Sequence, residues 1–138
     1  MHAFSLRVYY EDTDLAGIVY YANYLKFIER GRTEALRAAG IDQVSLKVEA
    51  GLVFVVRSLS AEYLVPARFD DLLTVETAVV EIGRASLTVA QAVRRGAEDK
   101  PLFTATVRLA VTDAAGRPRR LPEAIAASLS SLGGGAPS

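Results

Sequence analysis

The chain has 138 residues, enough for one domain with its own core, and its 16 basic and 16 acidic side chains cancel, so no general attraction to polyanions such as nucleic acid is expected. It has no cysteine and a single histidine, His2, at a terminus read as mobile, which sets aside thiol chemistry, disulfides, Ser-His-Asp triads and histidine-built zinc sites. No basic region leads into an apolar run at the N-terminus, and no stretch approaches the ~18 apolar residues of a membrane span, so a cytoplasmic protein without a transmembrane segment is expected.

The first predicted element is a strand, in which Phe4, Leu6, Val8 and Tyr10 alternate with Ser5, Arg7 and Tyr9. An acidic turn follows, Glu11-Asp12-Thr13-Asp14-Leu15-Ala16-Gly17-Ile18-Val19. From Tyr21 to Ala39 the period becomes helical, with Tyr21, Tyr24, Leu25, Ile28, Ala35, Leu36 and Ala39 on one side and Phe27 and Gly31 beside them. Arg30 and Glu34 stand as an i,i+4 pair on the solvated side, and Gly40 stops the helix. Such a helix is about 28 Å long at ~1.5 Å per residue, sufficient to span a small sheet.

Residues 41–49 read as a short helix or irregular connection ending at Gly51. Strands are then expected over 53–65, 72–82, 86–95 and 103–111, separated by Pro66-Ala67-Arg68-Phe69-Asp70-Asp71, by Gly83-Arg84 and by 96–101. The short connections suggest an antiparallel meander. Pro122 opens a last short helix to Leu132, and 133–138 reads as a frayed tail. One long helix and five strands make an α+β domain in two layers. Exposed sheet edges in such a domain invite pairing, so a homodimer is expected on physical grounds.

The acidic turn sits where chemistry can be done. A helix start leaves unpaired N–H groups and a partly positive end, which stabilise an oxyanion. Asp14 precedes Tyr21 by seven residues, and Gly17 between them allows a sharp turn and a close backbone approach to a ligand. A carboxylate and oxyanion donors can thus face one carbonyl carbon from opposite sides, a geometry suited to acyl transfer. Asp12 and Glu11 are the competing carboxylates. Glu29, about 12 Å along the helix, is assigned to a structural pair with Arg32 or Arg30. Ordinary turn and capping chemistry is the commoner origin of an Asp-Thr-Asp run before a helix, so pattern alone favours that reading over a catalytic one. With no histidine in place, an enzyme built on this chain needs a carboxylate as base or nucleophile.

The runs Arg7 to Asp14, Gly17 to Tyr20, Ala22-Asn23-Tyr24, Glu29-Arg30, Arg32-Thr33-Glu34, Glu62-Tyr63, Pro66-Ala67-Arg68 and Asp70-Asp71-Leu72 together resemble the 4-hydroxybenzoyl-CoA thioesterase family, nearest its Tol-Pal-associated branch, over about Phe4 to Leu129. The resemblance implies a hotdog fold, a long central helix wrapped by a five-stranded antiparallel sheet, as one domain over 1–132 with a flexible tail at 133–138. It implies hydrolysis of an acyl-CoA thioester by a homodimer or homotetramer with active sites at the subunit interface. No metal and no cofactor is implied beyond the coenzyme A carried by the substrate. Asp14 matches the family's catalytic aspartate, as nucleophile or as general base for water. The backbone N–H near Tyr21 matches the group that polarises the thioester carbonyl. Asn23, in the same motif, matches a residue that holds the turn, and Gly17 lies on the substrate side. Arg84 and Ser86 match, in residue type only, a segment that contacts the coenzyme A phosphates; an ordinary exposed turn arginine is the other reading.

At Tyr21 the Tol-Pal-associated branch usually has His, whereas the hydroxybenzoyl-CoA enzymes have Tyr. The backbone role survives either residue, since any residue but proline supplies an N–H. The same fold can also bind acyl-CoA without hydrolysing it, or act as an interaction subunit beside envelope or lipid-synthesis proteins. Hotdog hydratases need a histidine that this chain does not offer.

Overall fold

Apolar residues at every second position, Phe103, Ala105, Val107, Leu109 and Val111, put one face of a strand into a core. In the computed structural model, which describes residues 1–133, they form β5 (Phe103–Thr112). It joins β1 (His2–Arg7), β2 (Val53–Tyr63), β3 (Leu72–Ile82) and β4 (Ser86–Arg95) in one antiparallel sheet of five strands, ordered β1-β3-β4-β5-β2. The long helix, α1 (Asn23–Ala38), lies on one face against β1, β3 and β4. This is the α+β arrangement that the resemblance implies.

The meander covers only β3, β4 and β5. β2 zips to β5, from Val53 opposite Thr112 to Tyr63 opposite Phe103, and so occupies the far edge of the sheet. Residues 64–71 must then cross the open end of the sheet from β2 to β3, and this crossing builds one wall of the site described below. Sequence proximity could not show it, because an eight-residue link can close a hairpin or cross the end of a curved sheet with equal ease.

α1 buries Tyr24, Phe27, Ile28, Gly31, Ala35 and Leu36, the stripe expected from its period, while Leu25 is exposed. It approaches the sheet tightly at Gly31. A Cβ there would lie 2.5 Å from Val75 Cγ1 and 3.1 Å from Val75 Cβ. Beside it, the buried Gln91 donates Nε2–H to Ile28 O (2.9 Å) and to Thr77 Oγ1 (2.8 Å) and accepts from Arg32 Nη1 (3.0 Å). Each polar group in this contact thereby has a partner, as burial requires. Burial pulls the Arg32 guanidinium below its ordinary pKa, against the opposing influence of Glu29.

Several boundaries differ from the sequence reading. β1 ends at Arg7 because Val8 bonds to the crossing segment through Asp70 N and Asp71 O, and because Tyr9 N–H donates to Asp12 Oδ2, which opens a 3-10 turn over Tyr10–Asp12. His2 is not in a mobile terminus. It pairs with Thr77 in the sheet, and the terminal amine donates to Gly133 O at 3.0 Å. α1 starts at Asn23 rather than Tyr21, since Tyr21 and Ala22 belong to the preceding turn. Glu34 pairs with Arg37 rather than Arg30. The connection after α1 holds a short α2 (Gln43–Ser45), capped by Asp42, and a π-helical turn over Leu46–Ala50, one residue beyond the expected 41–49. α3 spans Glu123–Ser130. Of the expected tail, Gly133 is tied to the N-terminus and 134–138 lie outside the described residues. Among the described residues no helix is long and apolar enough to cross a membrane.

The Gly31 approach is testable. Gly31→Ala gains about 1 kcal/mol of helix propensity but overpacks the Val75 contact at a cost of about 1–3 kcal/mol, so a net loss in urea unfolding is expected. Adding Val75→Ala removes the Cγ1 atom that makes the worse of the two contacts, and the double variant should be more stable than the sum of the single changes by about 0.5 kcal/mol or more. Strictly additive values would contradict the contact.

Candidate active site

The acidic turn is held as a closed hairpin at the entrance of α1. Thr13 and Val19 form an isolated antiparallel bridge, Asp14 N–H donates to Ile18 O at 2.9 Å, and Gly17 N–H returns to Asp14 O at 2.9 Å. Gly17 has φ of 81°, a conformation that glycine adopts without steric cost. At its centre the Asp14 carboxylate accepts the Ala16 N–H on Oδ1 at 2.9 Å, an Asx turn. Among the described residues its second oxygen, Oδ2, has no hydrogen-bond donor.

Asp12 serves a different purpose. Its carboxylate caps the turn through Tyr9 N–H at 2.8 Å, and its carbonyl accepts both Tyr20 N–H (2.8 Å) and Asn23 Nδ2–H (3.0 Å). Asn23 thus ties the acidic turn to the first turn of α1. Glu11 is exposed on the 3-10 turn. Of the three clustered carboxylates, Asp14 alone lines the cleft described next.

The crossing segment closes the other side. Val19 N–H donates to Ala67 O at 2.8 Å, Ile18 bridges Arg68, and Ala67 N–H donates to the Tyr24 hydroxyl at 3.1 Å. Between the turn, the start of α1 and this segment lies an open cleft of about 320 Å³, lined by Asp14, Tyr21, Tyr24, Tyr63 and the Leu64-Val65-Pro66 run. Tyr63, the last residue of β2, donates its hydroxyl to Tyr21 O at 2.8 Å. Tyr24 stacks on Phe103 with ring centroids 4.9 Å apart, and Tyr63 meets both edge-on. Burial raises the Tyr24 hydroxyl above its ordinary pKa, partly countered by the Ala67 N–H, and burial followed by the neighbouring Tyr21 does the same at Tyr63. Both phenols therefore remain neutral hydrogen-bonding groups at physiological pH.

Asp14, Gly17, Tyr21 and Asn23 are brought together at this end of the sheet. Among the described residues the N–H groups of Tyr21 and Ala22 find no acceptor, so the helix entrance keeps donors to spare. Arg84 and Ser86 are not part of this assembly. They sit on the β3–β4 hairpin, where Gly83 N–H donates to Ser86 O. β3 runs from Leu72, beside the cleft, to Ile82, beside the hairpin, and at ~3.3 Å per residue the two ends are roughly 30 Å apart. No group of three or more His, Asp or Glu side chains converges among the described residues as a metal site would. Sequence reasoning left Tyr24 in the core stripe and Tyr63 in a strand, and missed the Leu64–Pro66 wall altogether. The closeness of Tyr63 to Tyr21 spans 42 positions of sequence and has no local signal.

Comparison with known proteins converges on one family. A model described as the thioesterase superfamily matches residues 16–101, a stretch that begins two residues after Asp14. Acyl-CoA thioesterase YbgC of Haemophilus influenzae is 47% identical over 111 residues, 80% of this chain and 80% of that protein. Acyl-CoA thioester hydrolase YbgC of Escherichia coli O6:H1 is 42% identical over 123 residues, 88% of this chain and 90% of that one. Among solved structures, a probable thioesterase from Bartonella henselae superposes with a TM-score of 0.82 at 42% identity, covering 88% of this chain and 98% of its own.

The Asn23 tie gives a structural test. Asn23→Ala removes one of two donors to the Asp12 carbonyl, and a loss of about 1 kcal/mol is expected in chemical unfolding. Amide exchange should accelerate between residues 12 and 22 more than in the sheet. Equal protection in both regions would mean that Asn23 does not secure the turn.

Proposed function

The chain belongs to the thioesterase superfamily and is a hydrolase of acyl-CoA thioesters, and from that premise we propose that Asp14 is its catalytic carboxylate and the Tyr21 backbone N–H the donor that polarises the thioester carbonyl. One observation supports this above the others: a carboxylate with an uncommitted oxygen and an N–H without an acceptor belong to two residues lining the same cleft.

Two routes use these groups. As nucleophile, Asp14 adds to the thioester carbon, the carbonyl oxygen becomes an oxyanion, and its collapse breaks the C–S bond and expels the coenzyme A thiolate. The resulting mixed anhydride is then hydrolysed by water, which regenerates the carboxylate. As general base, Asp14 takes a proton from water as the hydroxyl adds to carbon, and the proton passes to the departing thiolate. Both routes yield free acid and coenzyme A. In both, the developing oxyanion is met by backbone donors at the start of α1, worth roughly 3 kcal/mol for each well-placed donor. The Asx turn presents Oδ2 while Oδ1 stays engaged, and the tyrosine rings supply an apolar seat for the acyl group.

We further propose that the working unit is a homodimer, alone or doubled into a tetramer. β2 is an edge strand of eleven residues on which Val55, Val56 and Leu59 are 47%, 50% and 41% exposed, an edge that calls for a cover. Two-fold antiparallel pairing of β2 with a second copy supplies one. It also reverses the second sheet, so the partner's β3–β4 hairpin end lies alongside the Asp14 end. Arg84 and Ser86 can then serve the coenzyme A moiety only across the interface, a role for which the support is their position and residue type.

The direct test is thiol release from acetyl-, butyryl-, palmitoyl-, benzoyl- and 4-hydroxybenzoyl-CoA. Asp14→Asn keeps an oxygen for the Ala16 N–H, so the variant should remain folded while turnover falls by about 10²–10⁴-fold. Wild-type turnover in Asp14→Asn would reject the assignment, and a folded wild-type protein silent on every substrate would favour a non-catalytic acyl-CoA-binding protein. For the dimer, light scattering should give twice the chain mass or a multiple of it. Val56→Lys on the β2 edge should shift the protein to monomer and remove activity with it.

A further inference from the structure

We infer that Tyr63 is a positioning residue for hydrolysis, its hydroxyl holding the Tyr21 carbonyl so that the Ala22 N–H, a second backbone donor beside the Tyr21 N–H at the entrance of α1, keeps one orientation. The inference rests on the proposed Asp14 and Tyr21 reading and deepens it.

Two successive peptide groups are held by their oxygens. Tyr20 O accepts Asn23 N–H at 2.8 Å, a contact local to the turn. Tyr21 O accepts the Tyr63 hydroxyl at 2.8 Å, a contact made from the far end of β2. A trans peptide is planar, with C=O and N–H pointing to opposite sides, so fixing each oxygen fixes the N–H bonded to the same carbonyl carbon. Those N–H groups are Tyr21 and Ala22, neither of which has an acceptor among the described residues. In a regular helix Tyr21 O would accept from Leu25, but Leu25 N–H donates to Ala22 O at 3.1 Å. The helix leaves this carbonyl free, and Tyr63 takes it.

The hydroxyl is itself held in place. The Tyr63 ring meets Phe103 at 5.0 Å, Tyr24 at 5.5 Å and Tyr21 at 6.3 Å between centroids, all edge-on. A donor aimed by three rings restrains the turn without a further ordering cost at the moment of reaction, which is how preorganised donors act. Donation to Tyr21 O also polarises that peptide and strengthens the Ala22 N–H as a donor.

The test compares Tyr63→Phe with Tyr63→Ala in the full chain, beside Asp14→Asn, on the acyl-CoA that the wild type hydrolyses fastest. Tyr63→Phe keeps the ring contacts and loses only the hydroxyl. The expected result is a fall in kcat of about tenfold, with KM within a factor of two and an unchanged melting temperature. Tyr63→Ala should lose at least as much in kcat. A merely packing role predicts Tyr63→Phe equal to wild type with only Tyr63→Ala impaired, and that result overturns the inference. So does a Tyr63→Phe loss carried by KM alone. An inactive Asp14→Asn beside a fully active Tyr63→Phe rejects only this inference, whereas an active Asp14→Asn rejects the reading beneath it.

Discussion

Gly31 allows α1 to lie against the Val75 side chain of β3 at a distance that a Cβ would not permit, and the rest of the site depends on that approach. A helix seated further out would carry its first turn away from the end of the sheet, and with it Tyr21, Ala22 and Asn23. Gln91 makes the seat specific. It bonds to a helix carbonyl, a strand hydroxyl and a helix arginine from one buried position. Any sliding of α1 along the sheet would strand several of these groups without partners in a low-dielectric contact.

From that seat, two chain segments far apart in sequence interlock. The Asp12 carbonyl gathers Tyr20 and Asn23, while Val19 N–H donates to the Ala67 carbonyl and the Tyr24 hydroxyl accepts the Ala67 N–H. The crossing segment is in turn tied down at its far end. Arg95 bonds to Asp71 at 3.0 Å and to Glu98 at 2.6 Å, Arg68 N–H donates to Asp71, and Arg7 donates to Asp70 O at 2.7 Å. These charge-assisted bonds hold the Arg95 guanidinium more firmly protonated than an ordinary arginine. Arg7 and Val8 fasten Asp70, which sits in the left-handed region at φ 73°, a conformation that aspartate adopts more readily than most non-glycine residues. The cleft is thus walled by segments that rely on each other rather than by one loop.

This division of labour explains why one carboxylate of the three is available. Asp12 is used as a cap, Glu11 faces solvent on the 3-10 turn, and Asp14 is half-engaged by its own Asx turn. A carboxylate bonded through one oxygen is fixed in direction while its other oxygen remains usable, the condition that a nucleophile or base requires. The rest of the cleft is lined by tyrosines and aliphatic side chains, so the Asp14 carboxylate and the backbone donors are its main electrostatic features.

Sequence alone determined the local elements and the place of the acidic turn at a helix entrance. Alternation gave the strands, the 3.6-residue period gave α1 and its buried stripe, and a glycine between Asp14 and Tyr21 marked a tight turn at a helix entrance. Each is set by neighbours within a few residues, which is why it could be read. Tertiary structure decided what local patterns do not encode: that β2 lies beside β5 and not β3, that 64–71 therefore crosses the site, that His2 is a strand residue, and that the β3–β4 hairpin stands at the opposite end from Asp14 within one chain. It alone brought the Tyr63 hydroxyl to the Tyr21 carbonyl. Strand order follows from which long-range pairing buries the most apolar surface with every backbone group satisfied, a property of the whole chain that no window of sequence contains.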